Sequence, residues 1–138
     1  MIIRPVADYC SVVYHSLLTD EMDQAVERLQ SQALKNIYGY KMPYAKMREL
    51  AEVTTLRERR IALCDRFAEK SLANPRYADW FPEKPKRRNT RGGAGEKYLE
   101  EYARCDRLVN SPLFFFRRRL NGKPGKRYGE RNRKYRDA

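Results

Sequence analysis

The side chains of this sequence whose types and spacing could do chemistry are cations and aromatic rings. Phe114-Phe115-Phe116 runs straight into Arg117-Arg118-Arg119, and rings beside guanidinium groups can stack bases and hold phosphates on a single strand. Lys84, Lys86, Arg87, Arg88 and Arg91 form a second cluster. Lys123, Lys126 and Arg127 open a third, which continues through Arg131, Arg133, Lys134 and Arg136 with Tyr128 and Tyr135 among them. Arg59, Arg66 and Lys70 share one stripe of a helix that the spacing predicts over residues 55–72. Each set has a plainer reading. The stripe can be a solvated helix face with Arg66 paired to Glu69, and the residues alone favour that. Lys84 to Arg91 can be a solubilising linker, although its neighbouring basic cluster favours binding. For residues 114–119 the rings are expected to dock on a bundle and the arginines to bind. The basic tail can be a nucleic-acid arm, a nuclear localisation patch or coding sequence without a selected role.

Acids and nucleophiles offer no comparable set. His15 is the only histidine, with no cysteine or second histidine beside it, and reads as a packed or capping residue. Cys10 and Cys64 fall on predicted core faces and should be inert. Ser11 and Ser111 have no base partner, and Glu100-Glu101 would point to opposite faces of a strand. The 3 cysteines show no C-x-x-C spacing, so no zinc site is expected. No catalytic constellation, metal, cofactor or small-molecule substrate is expected.

The charge is unevenly placed. The chain has 138 residues, 30 Lys+Arg, 18 Asp+Glu and a formal net charge of +12. Residues 1–83 hold 12 basic and 12 acidic side chains, whereas residues 84–138 hold 18 and 6, so the second half carries the whole excess. Such a balance attracts polyanions, RNA or DNA by default. An anionic membrane surface is the weaker candidate, because it calls for a basic amphipathic helix and the strongest amphipathic pattern, over 20–38, is not basic. No run approaches the ~20 apolar residues of a membrane span, and Met1-Ile2-Ile3-Arg4-Pro5 lacks the apolar core of a secretory signal. With an odd cysteine count, this predicts a soluble intracellular protein of a reducing compartment, nucleus or cytoplasm.

Helices must position these groups. Val6, Tyr9, Cys10 and Val13 predict a short helix over 2–14. Over 20–38, Thr19 is a cap, Asp20, Glu21 and Asp23 suit the first turns, and Gly39 is a stop. Met22, Val26, Leu29, Ala33 and Ile37 make one apolar stripe there, expected to face inward. A short helix over 44–52 should turn Met47 and Leu50 inward. Thr55 and Glu58 form a capping box for a helix ending near Leu72, before Asn74-Pro75. Its broad apolar arc comprises Leu56, Ile61, Leu63, Cys64, Phe67, Ala68 and Leu72, and Arg60 projects toward that arc, so it needs a carboxylate or carbonyl partner. Trp80 and Phe81 should close the core. The fold class is therefore all-α in the main: a bundle of about four helices over 1–82, a basic Gly-rich linker over 83–96, a segment over 97–121 that packs on the bundle or extends, and a disordered basic tail over 122–138. Residues around Tyr98, Leu99 and Tyr102 fit a strand or a helix; Leu113–Asn121 favours a helix.

Three ordered patterns carry a resemblance: Ile3-Arg4-Pro5-Val6 with Asp8-Tyr9-Cys10-Ser11 and Val13-Tyr14-His15; Glu27-Arg28-Leu29-Gln30 with Ala33, Ile37 and Gly39; and Leu56, Glu58-Arg59-Arg60, Phe67-Ala68 and Asn74-Pro75-Arg76. Together they resemble the region just after the polymerase palm in LINE-type, jockey-like (non-LTR) retrotransposon reverse transcriptases. Asn89-Thr90-Arg91, Ser111-Pro112 and Leu120-Asn121 resemble that family's C-terminal segment. The resemblance covers roughly residues 2–121. It implies a helical thumb that leans on RNA, DNA or an RNA/DNA hybrid, with the helices over 20–38 and 55–72 as its surface, and a palm domain as a further partner. Fingers and palm are absent, and no Asp-Asp pair occurs in the sequence. The resemblance therefore implies binding without synthesis, although its parent family is an RNA-directed DNA polymerase. Family members continue upstream of Ile2, so Met1 is expected to begin a truncated element or partial gene. The other class of expectation is a helical interaction module or a remnant without function, whose apolar faces packed on the missing palm.

Overall fold

The chain runs through helices α1 (Ile3–Asp8), α2 (Ser11–Tyr14), α3 (Asp20–Tyr38), α4 (Tyr44–Leu50), α5 (Leu56–Leu72), α6 (Asp106–Val109) and α7 (Pro112–Leu120), with 3₁₀ turns at His15–Leu17 and Pro75–Trp80. This is a computed structural model that describes residues 3–83, 97–100 and 105–123. Among them there is no strand, only one antiparallel bridge between Glu83 and Tyr98. The all-α class expected from the sequence is the one observed. The linker over 84–96 and the tail from 124 lie outside the described residues, as does Tyr102.

Helix α5 is the centre, touching α1, α2, α3, α7 and the second 3₁₀ turn. Its start is the capping box: the Thr55 hydroxyl accepts from the Glu58 N–H at 3.1 Å, and the Glu58 carboxylate accepts from the Thr55 N–H at 3.0 Å. Hydrogen bonding of the Glu58 carboxylate to Thr55, first to its hydroxyl and then to its backbone N–H, holds that carboxyl below its usual range. Asn74 then caps the turn at Pro75 by accepting from the Arg76 N–H at 3.0 Å. The α5 arc buries Leu56, Cys64 and Ala68, while Phe67 and Leu72 stay partly exposed at its edge.

Helix α7 completes the core. Phe115, Phe116, Phe81 and Tyr98 gather on Cys64 and Ala68, with Val12, Leu113 and Leu120 beside them. Phe115 meets His15 edge-on at 5.1 Å, and Phe116 tilts against Phe67 at 5.6 Å. The neutral and cationic halves of the sequence thus share one interior. Trp80, expected in that core, is 39% exposed instead and rests on Tyr77 at 4.6 Å, leaving Phe81 to close the core.

Helix α3 inverts its expected orientation. Met22, Leu29 and Ile37 are 55%, 60% and 63% exposed, while Asp23, Gln30 and Leu34 are buried. Apart from Leu34 the inward row is polar, because Asp23, Glu27 and Gln30 find partners on α4, on α5 or in the loop between them. Gln30 donates to the Tyr44 hydroxyl at 3.0 Å and to the Thr54 carbonyl at 3.2 Å. Glu27 accepts from the Tyr44 hydroxyl at 2.5 Å and from the Leu56 N–H at 3.0 Å, supplying an acceptor to the first turn of α5. Burial, then the hydrogen bond to the Glu27 carboxylate, pushes the Tyr44 phenol up to about 12. Met47 on α4 is buried as expected, but Leu50 is 55% exposed because α4 ends there.

Asp23 supplies the partner that Arg60 requires. The Arg60 guanidinium, fully buried, donates to the Asp23 carboxylate, and Arg57 stands 3.9 Å from the same group. Removing one member of a buried pair leaves the other charge without compensation. Arg60→Ala is accordingly expected to cost about 3 kcal/mol of stability, the low end of the range because Arg57 remains near. Urea unfolding measures this, and a loss under about 0.5 kcal/mol, the scale of a surface change, would contradict it.

The helix expected over 2–14 breaks after Asp8. Cys10 adopts φ 53, a left-handed conformation uncommon for a residue with a side chain. Two contacts hold the break: the Tyr14 hydroxyl donates to the Ala7 carbonyl, and Asp8 accepts from Arg59 at 2.5 Å. The break turns Ser11, His15 and Ser16 inward and leaves Tyr9, Cys10 and Val13 exposed. Cys10 is therefore not a core residue. Cys64 is, and burial pushes its thiol up to about 12.

Candidate nucleic-acid interface

The three residues of the α5 stripe have different surroundings. Arg59 is held by Asp8. Arg66 and Lys70 are exposed, and among the described residues neither is in an ion pair, including the expected one from Arg66 to Glu69. These two present free charge to solvent from the middle and last turns of α5.

Arginines 117–119 were expected to face phosphates, and the fold gives them internal partners. Arg117 is buried, donates to the Trp80 carbonyl at 2.8 Å and lies 5.8 Å from the Phe114 ring centre. Arg118 stands 3.7 Å from Glu100. Arg119 grips Asp65 with two bonds, 2.9 and 2.5 Å, a planar fork geometry that Lys could not reproduce. The Asp65 bond pushes the pKa of Arg119 further up. Lys123 reaches Glu100 at 3.2 Å. Arg117 and Arg119 thus tie α7 to the bundle, while Arg118 and Lys123 tie α7 and the turn after it to Glu100. Their neighbours Phe114, Phe115 and Phe116 are buried, as docking of the rings requires.

The remaining sequence candidates, Lys84, Lys86, Arg87, Arg88, Arg91, Lys126 and Arg127, lie outside the described residues. Their weight is readable from sequence. Residues 84–96 carry five basic and one acidic side chain, and residues 124–138 six basic and two acidic, so together they hold +8 of the +12. The other +4 is the net charge of residues 97–123, seven basic and three acidic side chains, among which Arg117, Arg118, Arg119 and Lys123 are engaged as described.

One group was missed by sequence reading. At the corner between α3 and α4, Tyr38, Gly39, Tyr40, Lys41, Met42, Pro43 and Lys46 line a depression of about 670 Å³. Gly39 turns the chain there with φ 91, a value that favours glycine. Tyr40 is 69% exposed, yet its hydroxyl donates to Asn36 at 2.9 Å and accepts from Gln32 at 3.0 Å. Lys41 and Lys46 are exposed and form no ion pair among the described residues. No acidic side chain lines the depression. The signal for it was Tyr38-Gly39-Tyr40-Lys41, two rings flanking a helix stop and followed by a cation.

Among the described residues no group of three or more His, Cys, Asp or Glu could hold a metal ion, and no helix is long and apolar enough to cross a membrane. Comparisons of the chain with protein families, with curated proteins and with solved structures find no match.

Proposed function

We propose that this chain is a thumb-like, nucleic-acid-gripping part of a non-LTR retrotransposon reverse transcriptase, without catalytic residues of its own. The observation that carries the reading is the placement of charge. Of the formal +12, residues 84–96 and 124–138 carry +8, and the helical body adds the exposed cations Arg66 and Lys70 on α5, which form no ion pair among the described residues. Contacts of that kind are made to phosphates, which carry no base information, so RNA, DNA and hybrid should bind with little sequence preference. A salt titration of duplex binding is the test. If about 6 cations engage phosphates, log K falls against log salt with a slope near −5. A flat response would remove the reading.

A second reading has an observation of its own. The outward row Met22, Leu29 and Ile37 on α3 suits a protein surface, such as a polymerase palm, and makes the chain a helical interaction module. Leu29→Glu is then expected to leave the urea midpoint near that of wild type, within about 0.5 kcal/mol as for other exposed sites. It should also abolish association with the palm in a pull-down. A loss of stability several times larger, or undiminished association, would count against the module.

A further inference from the structure

We propose that the corner between α3 and α4 is a stacking site for unpaired nucleotides, with the Tyr40 ring receiving a base and Lys41 and Lys46 receiving the phosphates on either side. The inference rests on the nucleic-acid reading above and names the form of ligand that this corner takes. Tyrosine usually buries its ring for the large apolar gain that burial brings. Tyr40 leaves its ring in solvent at 69% exposure. The ring is nevertheless not free to wander, because Asn36 and Gln32 hold its hydroxyl at 2.9 and 3.0 Å. A ring already held in one pose loses little side-chain entropy when a flat ligand settles on it.

The surroundings match a nucleotide. Tyr38, on the other side of Gly39, is also partly exposed and offers a second ring. Met42 and Pro43 give the depression an apolar wall, and its only charges are the two cations Lys41 and Lys46. Its volume of about 670 Å³ falls in the range of small-molecule clefts, large enough for a splayed base with its sugar. A duplex keeps its base faces stacked on one another, so a ring platform selects single strands. A phosphopeptide could use the lysines, but it would have no use for an open ring face.

The experiment uses the full chain and fluorescence anisotropy with a labelled oligo(dT), a labelled oligo(U) and a DNA duplex of equal length. One stacked base is worth about 1–3 kcal/mol, so Tyr40→Ala should weaken oligo(dT) and oligo(U) binding by about 5- to 150-fold and leave the duplex unchanged. Tyr40→Phe should keep most of the affinity, because the ring remains. Lys41→Gln with Lys46→Gln should weaken the same two ligands and reduce their salt slope. If wild type binds and Tyr40→Ala binds the single strands equally well, the corner is not the site, while the broader reading stands. Equal losses on single strand and duplex would also overturn stacking. Displacement of oligo(dT) by a phosphoserine peptide at equal concentration would reassign the lysines and overturn the proposal. A wild-type chain that binds none of the three ligands would sink this site and the broader reading together.

Discussion

Residues 1–83 expressed alone are expected to lose cooperative unfolding. The neutral half holds α1 to α5 and both 3₁₀ turns, but not α6, α7 or Tyr98. Without them Cys64, Ala68 and Phe81 lose the Phe115, Phe116 and Tyr98 contacts that bury them. Asp65 loses Arg119, and the Trp80 carbonyl loses Arg117. Removing a buried phenylalanine side chain costs about 3–5 kcal/mol. Two such losses approach the about 5–15 kcal/mol that holds a small domain together. Phe115→Ala and Phe116→Ala in the full chain should each lower stability by about 3 kcal/mol or more, which separates the loss of α7's packing from the loss of charge. Thermal melting followed by circular dichroism reads both. A 1–83 piece melting cooperatively at the Tm of the whole chain would contradict the shared core.

The surplus cations should dominate affinity for nucleic acid. With six phosphate contacts, raising salt from about 50 to about 200 mM should weaken duplex binding about 10³-fold. The effect should not depend on base sequence, because counterion release from phosphates is its source. Arg117, Arg118 and Arg119 should contribute little to the slope, since Trp80, Glu100 and Asp65 already hold them.

The long helices α3 and α5 were legible in the sequence, whereas the break between α1 and α2 and the short α6 were not. Thr19 and Gly39 bound α3, and the Thr55–Glu58 box opens α5, because caps act within one turn of the chain. Arg60's need for an acid partner was legible too, as its position on the apolar arc demanded one. The identity of that partner was not, because Asp23 lies 37 residues away. The same distance effect explains the inversion of α3. Periodicity finds its apolar row correctly, but Asp23, Glu27 and Gln30 can face inward once Arg60, Tyr44 and the start of α5 satisfy them. Arginines 117 and 119 looked free for the same reason: Trp80 and Asp65 are remote in sequence. Tyr40 escaped notice because its exposure and its fixed pose exist only after α3 has ended and turned.

The most direct measurement is the slope of log K against log salt for duplex binding by the full chain, compared with a chain carrying glutamine at the lysines and arginines of 84–96 and 124–138. The account predicts a slope near −5 for the first and a much shallower one for the second, with affinity at low salt falling in step. Equal slopes in the two proteins would place the contacts elsewhere and contradict it.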